Sequence, residues 1–241
     1  MPTNDAEATT RPKPPTARQR ARAELTREIK DVARRHLAEQ GPAALSLRAV
    51  ARELGMVSSA VYRYFPSRDD LLTALLVDAY NAVADAAEDA ERRTARAGVA
   101  TRWLALAGAV RDWARTNRSD FDLVYGSPVP GYQAPEDTIE PAQRLSLVFI
   151  RIAADGVASG EIAADAVTPI PRSVHADFTA LRDFAEVDIP DAVLSRGLLV
   201  WTDLFGTLSF ELHGHLNNVI ADYDAFFDLQ MRRAAHVLVG G

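Results

Sequence analysis

Cysteine is absent from the 241 residues, which excludes disulfides and thiolate-bound zinc. No stretch approaches the ~18 uncharged apolar residues of a membrane span, so no membrane partner is expected. The first 22 residues, MPTNDAEATTRPKPPTARQRAR, lack the apolar core of a secretory signal, and the chain is read as cytoplasmic. No segment alternates like a β-strand, and no repeat of 20 to 50 residues is found. Also missing are a nucleophile elbow, a phosphate-binding glycine loop and a carboxylate–histidine motif on a strand framework, so neither catalysis nor a cofactor is expected. Of the five histidines, His213 and His215 stand two apart on an expected helix and point in different directions, which argues against a joint metal site. His175 and His236 show no partner in the sequence.

What is present is an ordinary globular composition, 48% apolar and 25% charged, long enough for two domains with real cores. The charge is unevenly spread. The net is −6 overall, yet residues 11 to 68 carry 13 Lys/Arg against 5 Asp/Glu, a net of +8, which leaves −14 for everything else. A basic head on an acidic body suits a small domain held against phosphates while the rest stays away from them; a random cluster of solvated charges would give the same count.

Residues 1–20 read as a disordered basic arm, 21–66 as a small helical domain and 67–241 as a larger one, so the fold class is all-α. In the first helix, Leu25, Ile29, Val32, Ala33 and Leu37 share one face until Gly41-Pro42 closes it. Ser46 is the expected N-cap of a second helix burying Leu47, Val50, Ala51 and Leu54, with Gly55 as its left-handed terminator. Ser58 is the expected cap of a third, running to Tyr64 or Phe65 before Pro66. Ser67-x-x-Asp70 is a capping signature for a long fourth helix. Further helices are expected at about 67–95, 99–116, 138–158, 172–186, 190–215 and 222–239, with an irregular Pro-rich loop after Gly126.

Two short helices joined by a glycine turn, SLRAVARELGMVSSAVYRYF, meet the demands of a helix-turn-helix, whose second helix lies in the major groove. Val61 and Phe65 are the inward pair, which leaves Val57, Ser58, Ser59, Tyr62 and Arg63 on the open side. Spacing alone also allows a structural hairpin with no nucleic-acid role.

The residues Ser46-Leu-Arg-Ala-Val-Ala-Arg-Glu-Leu-Gly55 and Val61-Tyr-Arg-Tyr-Phe-Pro-Ser-Arg-Asp-Asp-Leu-Leu72 closely resemble the TetR family of bacterial repressors. The resemblance implies a homodimer with one DNA-binding head per subunit and a small-molecule effector pocket in the C-terminal body. By position, Ser46 and Arg48 would bind phosphate; Tyr62, Tyr64 and Arg68 match backbone-contacting positions; Val57, Ser58 and Ser59 match the base-reading start of the recognition helix. Val57 suits contact with a thymine methyl. In the body, Phe121 to Tyr132 and Trp201-Thr-Asp-Leu-Phe-Gly206 resemble the branch named for a Trp, His, Gly signature, with Phe205 where the histidine would stand.

Trp103, Trp113, Tyr125, Phe149, Trp201 and Phe205 are the candidate effector contacts, because large aromatics on several helices line apolar cavities; core packing alone accounts for each singly. Leu194, Leu198, Leu208 and Leu212 are the candidate dimer contacts on the helix at 190–215, paired with the helix at 222–239. The function expected is sequence-specific, double-stranded DNA binding at a palindromic operator, with release by a small, mostly apolar effector. A helical dimer that binds a small molecule without switching, or a helical enzyme, is the alternative.

Overall fold

The computed structural model describes residues 16–41, 44–164 and 169–240, and among them it contains ten α-helices and no strand. The expected arm at residues 1–15 lies outside the described residues. The chain divides into two compact units, residues 1–68 and 69–241.

The first unit holds α1 (Ala17–Gln40), α2 (Leu47–Glu53) and α3 (Ser58–Tyr62). Helix α1 begins four residues before the expected Ala21, because Thr16 and Gln19 form a capping box. The Gln19 N–H donates to the Thr16 hydroxyl at 3.2 Å, and the Thr16 N–H donates to the Gln19 side chain at 2.7 Å. Arg18 and Arg20, expected in a disordered arm, are therefore helical. Ile29, Val32, Ala33 and Leu37 of α1 are buried, as are Leu47, Val50 and Ala51 of α2 and the Val61–Phe65 pair. Leu54 is only half-buried. Helix α3 is shorter than expected: Val57, not Ser58, is its N-cap, and it ends at Tyr62 rather than Tyr64 or Phe65. Ser46 does occupy the cap of α2, though its side chain makes no cap hydrogen bond.

Helix α4 (Arg68–Thr94) starts on the last residue of the first unit and runs into the second. The second unit continues with α5 (Val99–Thr116), α6 (Arg118–Tyr125), a 3-10 turn at Glu136–Thr138, α7 (Ile139–Ser159), α8 (Arg172–Ala185), α9 (Asp191–Leu212) and α10 (Tyr223–Val239). Helix α5 is the axis of this unit, packed against α7, α9 and α10. Its Trp103, Leu106, Ala107 and Val110 are fully buried, and the Trp103 indole N–H donates to the Met231 carbonyl of α10 at 3.0 Å. Helix α9 stops at Leu212, three residues before its expected end, and His213 turns back to hydrogen-bond the Ser209 carbonyl and, at 2.9 Å, Asp122.

Long-range ion pairs tie these helices together. The Arg111 guanidinium of α5 is buried, grips Glu211 of α9 with two hydrogen bonds of 2.8 and 2.9 Å, reaches Asp224 of α10 at 2.9 Å and lies 4.6 Å over the Phe227 ring. Arg102 joins Glu91 of α4 to Asp155 of α7; burial opposes its charge, but the two carboxylates outweigh that and raise its pKa. Arg144 of α7 reaches Asn81 at 2.7 Å, Asp85 at 2.6 Å and Glu88 at 2.9 Å, all on α4. His175, for which the sequence suggested no partner, pairs with Asp191, which Arg182 also holds.

Candidate nucleic-acid interface and body cavity

In the first unit, the connection between α2 and α3 depends on Gly55, whose φ of +66° is a left-handed value that costs an L-residue roughly 1 to 2 kcal/mol. A Cβ there would meet nothing within 4 Å, so only the backbone conformation resists substitution. Gly55→Ala should therefore lower the stability of this unit by about 1 to 2 kcal/mol, read from its thermal unfolding, while leaving far-UV dichroism unchanged. An unchanged melting point would mean that the turn relaxes freely.

The turn delivers α3 with one face packed and one open. Val61 is fully buried, whereas Val57 is 70% and Tyr62 41% exposed. Ser59 and Arg63 are exposed as well, Ser58 is half-buried, and Arg48 on α2 projects into solvent. Ser46 and Arg68 are half-buried. Tyr64, expected at a backbone-contacting position, is half-buried, and the Arg22 guanidinium of α1 sits 5.0 Å over its ring. The recognition-helix pattern did not single out Arg22, which this contact places beside Tyr64. Arg18, Arg20 and Arg22 all lie in the first two turns of α1, and its first turn contains no acid. A helix start favours negative charge, so this placement works against the helix unless an external anion is met. Elsewhere in the unit, Glu53 accepts from Arg35 at 2.6 Å and pairs with His36 at 2.7 Å. Arg35 first and His36 second hold its carboxyl below the usual range.

In the second unit, five of the six candidate effector residues form one continuous aromatic row. Ring centroids are 5.4 Å apart for Trp103 and Phe149, 5.5 Å for Phe149 and Trp201, 4.9 Å for Trp201 and Phe205, and 4.3 Å for Phe205 and Tyr125. Phe205, in the position of the signature histidine, is packed between two rings and has no polar work to do. Burial, with nearby Tyr80, pushes the Tyr125 hydroxyl pKa well up. Trp113 stands outside the row, buried, and its indole N–H has no hydrogen-bond partner.

Beside this row lies a cavity of about 100 Å³ between α7, α8 and α9. Phe149 and Trp201 line it. So do Leu194 and Leu198, two of the expected dimer contacts. A third, Leu208, is fully buried in its own subunit and has no area left for another chain; Leu212 is half-buried. The apolar surface that α9 presents outward is Leu198, 43% exposed, Leu199, 59% exposed, and Phe210, 52% exposed, with Gly206 open between the last two. Helix α10 continues the face with Phe226, Gln230 and Arg233. Asp203 sits among them, its pKa raised by burial.

Two family descriptions match these two units. Residues 29–75 match the N-terminal domain described as "bacterial regulatory proteins, tetR family", and residues 103–234 match "tetracyclin repressor-like, C-terminal domain". The chain belongs to the TetR family. Among its relatives are the HTH-type transcriptional regulators Rv1816 of Mycobacterium tuberculosis H37Rv and Mb1846 of Mycobacterium bovis, each 43% identical over 92% of this chain and 95% of the relative. Among solved structures, the regulatory protein SCO4313 is 34% identical, covers 91% of this chain and 98% of its own, and superposes with a TM-score of 0.74. A TetR-family regulator from Rhodococcus RHA1, 18% identical with a TM-score of 0.63, shares the fold. This TetR-family chain is accordingly a helix-turn-helix transcriptional regulator and not an enzyme. No helix among the described residues is long and apolar enough to cross a membrane.

Proposed function

We propose that this regulator is a homodimeric repressor that holds a palindromic operator through two heads and releases it when a small, mostly apolar molecule enters the body. The observation that carries the reading is the open face of α3, where Val57, Ser59, Tyr62 and Arg63 stand clear of the core within a head that concentrates arginines where a helix start disfavours them. Val57, Ser58 and Ser59 read bases, Val57 by apolar contact. Ser46, Arg48, Tyr62 and Arg68 hold phosphates. Tyr64 acts through Arg22, whose guanidinium it positions. Two copies join through the Leu199–Phe210 face of α9 with α10, which places two heads on successive major grooves, roughly 34 Å apart.

For release, the effector must prefer a dimer shape that no longer fits the operator. A coupling of about 1 to 3 kcal/mol, a 5- to 150-fold change in affinity, is enough for a switch. Helix α4 is the natural connection, being one continuous helix from Arg68 to Thr94.

The test is binding to duplexes selected from a random pool, at several salt concentrations. A palindrome should emerge, with affinity falling steeply as salt rises. Arg68→Ala should weaken binding to every sequence alike and reduce the salt slope by about one, whereas Ser59→Trp should change which sequences are selected. No enrichment at low salt would end this reading.

A further inference from the structure

The proposed release specifies only a small, mostly apolar effector, and the cavity between α7, α8 and α9 narrows that class. Its walls are Phe149, Ile150, Ala153, Leu181, Ile189, Val193 and their apolar neighbours; among the described residues the Ser146 hydroxyl and the Trp201 indole supply the only polar side-chain atoms. The Ser146 hydroxyl already donates to the Gln143 carbonyl at 2.8 Å. No lining side chain among the described residues carries charge. An ionised group placed against these walls would exchange part of its hydration for apolar contact and meet no counter-ion among the described lining residues, which disfavours it.

Size narrows the class further. At about 100 Å³ the space is well below the roughly 300 to 1,000 Å³ of sites for drug-sized ligands. It is nearer the engineered apolar cavity of about 150 Å³ that stays dry and takes up benzene.

One wall residue is unexplained by packing. Gly197 is buried in the middle of α9, where glycine disfavours a helix relative to alanine. A Cβ at this position would stand 3.5 Å from Phe149 Cε1, an ordinary contact, so sterics do not require the glycine. Its effect is to leave the space against Phe149 empty. The Phe149 ring is fixed there from two sides, by Trp103 at 63° and by Trp201 at 31°.

We propose that this cavity is a binding site for an uncharged, ring-sized apolar molecule, a simple arene or cycloalkane, and that Gly197 sets the size it accepts. The inference builds on the reading that the body binds the effector, but the site itself does not require release of DNA.

The experiment uses the full chain with toluene and two charged molecules of similar size, benzoate and benzylammonium, read by tryptophan fluorescence and by melting temperature. Toluene should quench saturably and raise the melting temperature; the two ions should do neither. Gly197→Ala, which adds only the tolerated Cβ, should weaken toluene at least tenfold, and Gly197→Leu should abolish its binding. The alanine variant keeps the test valid if the leucine variant fails to fold. No saturable toluene effect, equal binding of either ion, or toluene binding unchanged in both variants would overturn the proposal. Toluene bound in the cavity with operator affinity unchanged would support this site and defeat the release reading. Operator release by a charged compound, with toluene inert, would do the reverse.

Discussion

A chain carrying both Leu199→Glu and Phe210→Glu should sediment as a folded monomer and lose about 10²- to 10⁴-fold in operator affinity. Both side chains are more than half exposed in the single subunit, so removing them takes nothing from its core, and helicity should be unchanged. In a two-fold dimer each substitution occurs twice on one self-complementary surface, placing four carboxylates where apolar groups would otherwise be shielded from water. Like charges brought together without counter-ions oppose association strongly. The loss in DNA binding then follows from valence: two linked heads gain about 10²- to 10⁴-fold over one, and the monomer forfeits that factor with its reading face intact. Sedimentation equilibrium at micromolar concentration and fluorescence anisotropy on labelled operator measure the two effects. A variant that remains dimeric would locate the interface elsewhere.

The second large effect lies inside the body. Glu211→Ala should lower its stability by about 3 to 5 kcal/mol, because it removes one half of a buried pair and leaves the Arg111 charge behind. Arg111 and Glu211 side chains are 8% and 11% exposed, whereas the remaining partner, Asp224, is 72% exposed and well hydrated. The stacked Phe227 ring holds the guanidinium in place but carries no full charge. A double replacement, Arg111→Met with Glu211→Leu, should recover most of the loss, since apolar groups of similar volume remove both charges together. Urea unfolding gives the comparison directly. If the single variant shifts by less than 1 kcal/mol, the pair is hydrated in solution and does not brace α5 against α9.

Much of the helical order was legible because its punctuation is local. Helix α5 runs from Val99 to Thr116 as expected, with Gly98 before it and Asn117 after it. The early start of α1 was legible too, in Thr16-x-x-Gln19, but the arginines and prolines around it read as a disordered arm. Helix α6 was not delimited, since only eight residues separate Asn117 from Gly126. The residues of the dimer face were hard to choose for a different reason. Helix α9 has apolar residues on almost every side, so periodicity cannot say which side faces inward. Leu194 and Leu208 look no different in sequence from Leu199; only the packing of α5, α7 and α10 around α9 decides among them. The aromatic set was recognisable by type, while the order of its rings and the exclusion of Trp113 depend on how four helices converge. The open residues of α3 were readable because a five-residue helix with one buried valine has few alternatives.

The grip of Arg144 on α4 has a mechanical consequence. Its acceptors, Asn81, Asp85 and Glu88, are spaced four and three residues apart along one edge of the helix, about 6 and 4.5 Å in axial rise. They act together as a clamp, with the guanidinium as its bolt. Because the guanidinium holds all three at once, a slide of α4 along its axis past α7 must strain or break these contacts together. A helix pinned in this way resists axial travel at its middle, so a displacement of either end is taken up as a tilt or bend about the pinned point.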